Sequence, residues 1–106
     1  MDPAVIERLI DQGRDSYEAR LAAGQARLKA GDLAEAVAHL KKATEHRPEQ
    51  TMAWQELGRA FSDLGRPEAA GAAWKQGMEV ARSNGDKQAE KVMAVFLRRL
   101  ERQSGA

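Results

Sequence analysis

Apolar residues recur along this chain at spacings of three and four, broken at regular intervals by glycine, proline and short polar runs. Val5, Ile6, Leu9 and Ile10 form a first group after Asp2-Pro3, a favourable helix start, and Gly13 stops it. Tyr17, Leu21, Gly24 and Leu28 lie on one stripe and predict a helix over 16–30, with Asp15 and Glu18 at capping-box spacing. Gly31-Asp32 ends that helix and caps the next, over 33–46, which buries Leu33, Ala36, Val37, Leu40 and Ala43. Asp32 and Glu35 repeat the capping-box spacing there, and Pro48 forbids continuation. Two more helices follow over 52–64 and 67–83, separated at Gly65 and with Pro67 at a start position. Ser83-Asn84-Gly85-Asp86 is a stop and a fresh cap, and a last helix over 87–103 buries Ala89, Val92, Met93, Phe96 and Leu100. The pattern is all-α.

The pattern also repeats. Sliding the chain by 34 residues superposes Ala19 on Ala53, Gly24 on Gly58, Ala26 on Ala60, Gly31 on Gly65 and Ala36 on Ala70. Ala38/Ala72, Lys41/Lys75 and Glu45/Glu79 coincide too, and Leu40 falls opposite Trp74. Trp54, Leu57, Gly58 and Phe61, followed by Gly65, Ala70 and Trp74, read W-x2-L-G-x2-F and then A-x3-W. This resembles the tetratricopeptide repeat, a helix–turn–helix unit of 34 residues. The resemblance implies repeats at 17–50 and 51–84 in one domain, 1–106, with a cap helix in 1–16 and another in 85–103. The implied fold is a short right-handed α-solenoid. The first repeat departs from the motif: Arg20, Ala23 and Arg27 stand where the second has Trp54, Leu57 and Phe61. Two repeats are few, because stacked units bury a core only against neighbours. Either the two end helices supply the missing burial or a second copy of the chain does.

Composition narrows the function classes. The sequence is 42% apolar but only 5% aromatic and rich in alanine, which suits close-packed helices better than a sheet. Net charge is +1, so no global field attracts nucleic acid or an anionic membrane. Residues 81–106 carry six Lys/Arg against three Asp/Glu, a mild basic bias. Cysteine is absent, which fits a reducing compartment. Early acidic residues argue against a secretory leader, and the longest apolar run, Val92 to Leu97, is far short of a membrane span. A soluble cytoplasmic protein is the expectation.

No nucleophile–base pair, phosphate loop or metal-ligand pattern stands out, so no catalytic residue, metal or cofactor is expected. His39 and His46 lie two turns apart, too far for joint ligation, and read as solvent-facing. Trp54 and Trp74 fall at core positions of the motif, where truncation to alanine costs about 3–5 kcal/mol. The resemblance implies a non-enzymatic scaffold whose groove, lined by each repeat's leading helix, binds a peptide or amphipathic helix of another protein. Carried over, that groove presents Leu21, Gln25, Leu28 and Lys29, beside Glu18, and then Met52, Gln55, Arg59, Ser62 and Asp63. Some members grip a chain-terminal carboxylate with basic residues. The matching positions here are Leu21, Gln25 and Glu56, with Asp86 and Glu90 beyond, which would repel one. Two arrangements stay open at the other end: an exposed apolar floor at Leu21 and Leu28, or a first helix lying over it. The alternative roles are a self-associating module and nucleic-acid contact through Arg98, Arg99 and Arg102, though no aromatics interleave with those arginines.

Overall fold

The computed structural model describes residues 2–104; Met1, Gly105 and Ala106 of the expected domain lie outside the described residues. Six helices follow one another: α1 Pro3–Asp11, α2 Tyr17–Ala30, α3 Leu33–His46, α4 Thr51–Asp63, α5 Pro67–Asn84 and α6 Lys87–Ser104. Each packs chiefly on its neighbours in sequence, giving an elongated stack of 45 × 29 × 18 Å.

Local chemistry sets the breaks. The Asp2 carboxylate accepts from the Ala4 amide, and Pro3 occupies the first turn of α1. Gly31 and Gly65, 34 residues apart, close α2 and α4 with φ of 84° and 81°. The same hydrogen bonds recur at both, Asp32 N to Arg27 O and Arg66 N to Phe61 O, each at 2.9 Å. A side chain resists that left-handed geometry, so glycine makes the turn repeatable.

Two caps differ from the expectation. Ser16, not Asp15, caps α2: its Oγ accepts from the Ala19 amide at 3.0 Å. Asp15 is drawn off by Arg20, with bonds of 2.8 and 2.9 Å, and by His46 at 2.9 Å. Asp32 precedes α3 but makes no side-chain cap, because its carboxylate accepts from Arg27 at 2.8 Å.

The main core draws on α3 to α6: Ala36, Leu40, Leu57, Ala60, Phe61, Ala70, Ala73, Trp74, Ala81 and Met93. Small residues let the helices close up. A Cβ at Gly24 would run into Leu40, and one at Gly58 into the Trp74 indole, so both repeats seat a bulky α3 or α5 side chain against a bare stretch of helix. Met93 of α6 is fully buried, so the last helix completes the core. Trp54 is half-buried, its indole donating to the Pro48 carbonyl.

The divergent first repeat is explained by α1. Ile6 and Ile10 pack on Ala19 and Ala23, while Val5 and Leu9 point away. Arg27 donates twice to Glu7, at 2.8 and 2.6 Å. His39 meets Glu7 at Nε2, 2.7 Å, and Arg20 at Nδ1, 3.1 Å. Arginine can only donate, so Nδ1 accepts and Nε2 carries the proton it gives to Glu7. His39 is therefore not solvent-facing; its side chain is 12% exposed and joins α1 to α3. The Arg27 bonds, seconded by His39, outweigh burial and hold the Glu7 carboxyl at about 2, below its ordinary 4.5.

Candidate functional site

Three helices, α2, α4 and α6, alternate with α3 and α5 and share one face. Between α2 and α4 lies a cavity of about 320 Å³ lined by Gln25, Leu28, Lys29, Glu56, Arg59 and Asp63. Between α4 and α6 lies another, of about 390 Å³, where Trp74 of α5 forms the floor with Phe96 and Leu100. Arg59, Ser62, Asp63, Arg99 and Gln103 surround it. Arg59 and Asp63 line both, so the two cavities adjoin along α4 in a groove with these side chains at its middle.

Of the residues expected to face a partner, Gln25, Leu28, Lys29, Arg59, Ser62 and Asp63 line this groove. Leu21 is drawn inward and packs on the core beside Tyr17, Ala43 and Ala53. Met52 is 43% exposed at the start of α4, outside both cavities. Gln55 is half-buried, and its backbone carbonyl accepts from the Trp74 indole at 3.1 Å, which fixes the ring in the floor. α1 contributes no lining residue, so Leu28 stays open to the groove. Sequence reasoning missed the α6 wall. Its signal was the spacing of Phe96, Arg99, Leu100 and Gln103, which falls on one helical stripe.

The groove carries both signs of charge. Burial pushes the Glu56 carboxyl above its ordinary value, and Arg59 one turn away opposes that shift. The Trp74 and Phe96 rings stand 5.3 Å apart between centroids and tilt by 43°, a stable aromatic pair. Among the described residues no cluster of three or more His, Asp or Glu side chains is arranged to hold a metal, and no helix is long and apolar enough to cross a membrane. The cleft toward α6 has an apolar floor and a mixed-charge rim, and the cleft toward α2 is mostly polar.

A family model described as tetratricopeptide repeat matches residues 4–48 and 21–86. The chain belongs to the tetratricopeptide repeat family. Over 37 residues it is 60% identical to the TPR repeat-containing protein PA0015 of Pseudomonas aeruginosa. That stretch is 33% of this chain, and it spans about a third, 35%, of the relative's length. The solution structure of protein BPP2914 from Bordetella parapertussis is 32% identical, with a TM-score of 0.83 across 97% of this chain and 90% of that one. Tetratricopeptide repeats are generally protein–protein interaction modules.

Proposed function

We propose that this chain is a non-catalytic adaptor that holds a peptide or amphipathic helix of another protein in the groove over α2, α4 and α6. The observation that carries this reading is that two cavities adjoin along α4 and share Arg59 and Asp63. An isolated dimple accepts one side chain; two adjoining clefts, one floored by Trp74, Phe96 and Leu100 and the other mostly polar, suit a segment. On this reading residues 17–50 and 51–84 are the repeats, α1 caps one end, and α6 both seals the core and forms the groove's far wall. The cysteine-free sequence supports a reducing, cytoplasmic setting.

Affinity capture with the wild type and with a Gln25→Ala/Arg59→Glu variant tests the groove. Both side chains are exposed, so the variant keeps the fold. Loss of captured proteins by the variant is the expected result, and identical captures count against the groove. A self-associating module is the second reading, favoured by Val5 and Leu9, exposed 40% and 37% one turn apart on α1. Sedimentation at micromolar concentration separates the two: a tight dimer dissociated by Val5→Ser/Leu9→Ser supports self-association.

A further inference from the structure

Several arginines here are matched to acids: Arg20 to Asp15, Arg27 to Glu7 and Asp32, Arg82 to Glu79 and Glu90. Arg59 and Arg99 are different. They stand on neighbouring helices at the rim of one cavity, and neither has an acidic partner within 4 Å among the described residues. The floor between them is Trp74, Phe96 and Leu100. Asp63 is the one acid at that cavity, which leaves a positive excess. At the α2 end, Lys29 and Arg59 are balanced by Glu56 and Asp63. The groove is therefore polarised along its length, neutral over α2 and positive toward α6.

Resting on the groove reading, we propose that the α6 end anchors an internal protein segment in which a bulky apolar residue is flanked by Asp or Glu. The apolar side chain enters between α4 and α6 and lies on Trp74 and Phe96. Carboxylates on either side of it meet Arg59 and Arg99, whose planar guanidinium groups suit carboxylate oxygens. Two arginines bracketing one cavity call for acids on both sides of the anchor, one carboxylate more than a chain terminus brings by itself. Both arginines are exposed, so each pair adds little affinity by itself. Apolar insertion supplies the strength, and the arginines select against neutral and basic segments.

The test uses short acetylated and amidated peptides with a central Phe flanked on both sides by Glu, Gln or Lys. The indole N–H of Trp74 is followed by NMR, with the Trp54 indole, bonded to Pro48, as internal reference. The Glu peptide should move Trp74 but not Trp54 and bind about tenfold tighter than the Gln peptide, while the Lys peptide leaves both unmoved. Arg59→Glu/Arg99→Glu should invert that order while the circular dichroism spectrum stays the same. Equal affinity of the Glu and Gln peptides overturns the proposal, as does an oligothymidine that moves Trp74 where the Glu peptide does not. Shifts confined to Gln25 and Lys29 also overturn it but leave the groove reading standing. No shift on α2, α4 or α6 with any peptide, joined to identical captures by wild type and groove variant, overturns both.

Discussion

A methyl added at Gly58 would run into the Trp74 indole, and one at Gly24 of the first repeat into Leu40. Neither neighbour can step aside: the indole is hydrogen-bonded to Gln55, and Leu40 is fully buried with its branch point against Gly24. Gly58→Ala and Gly24→Ala should therefore each cost about 1–3 kcal/mol, as read from urea denaturation midpoints. Trp74, 4% exposed, should lose about 3–5 kcal/mol on truncation to alanine. Trp54 keeps part of its ring in water, so equal costs for the two tryptophans should not be found; about 2 kcal/mol is expected for Trp54→Ala. The motif gave both tryptophans the same core role, since residue type and spacing carry no record of how much solvent remains.

At the scale of elements, α1 is held by two apolar side chains and one carboxylate. The folded-state value of Glu7, about 2, lies below its ordinary 4.5. Its contribution is therefore fully present above pH 4.5 and is lost as pH falls from there through 2. Asp15, held low by Arg20 and then His46, acts in the same direction. Amides of α1 should exchange faster as pH drops through that window, after correction for intrinsic rates, while those of α4 and α5 hold. Glu7→Gln should reproduce the change at neutral pH and cost about 1 kcal/mol, since the pair is partly exposed. Helix positions were legible because stop signals are local: Gly31, Pro48, Gly65 and Gly85 act on their own neighbours. The α2 cap was not. Asp15 and Ser16 are both good caps by type, and Asp15 is taken by Arg20 and by His46, the latter 31 residues away.

For the whole molecule, the decisive element is α6. Met93 is fully buried among residues of the second repeat, and Phe96 packs beside Trp74. A chain ended after Gly85 should expose that surface and lose its cooperative unfolding transition, a result calorimetry would reveal. Met93→Ala is the milder form and should cost about 2–5 kcal/mol. The same helix makes the groove two-sided, so ligand binding and thermal stability should fall together in α6 core variants but separate in Arg99→Glu.

What the sequence determined by itself is what repeats or acts nearby: the 34-residue period, six helices with their breaks, and the small residues that let paired helices touch. Tertiary structure decided which charges are spent and which remain. Arg20 and Arg27 look like misfits in a core stripe until Glu7, Asp15 and His39 close around them; Arg59 and Arg99 stay open at the groove. The physical reason is distance along the chain. Glu7 and His39 are 32 residues apart, and no local pattern specifies which charged side chain a folded neighbour will bring within bonding reach.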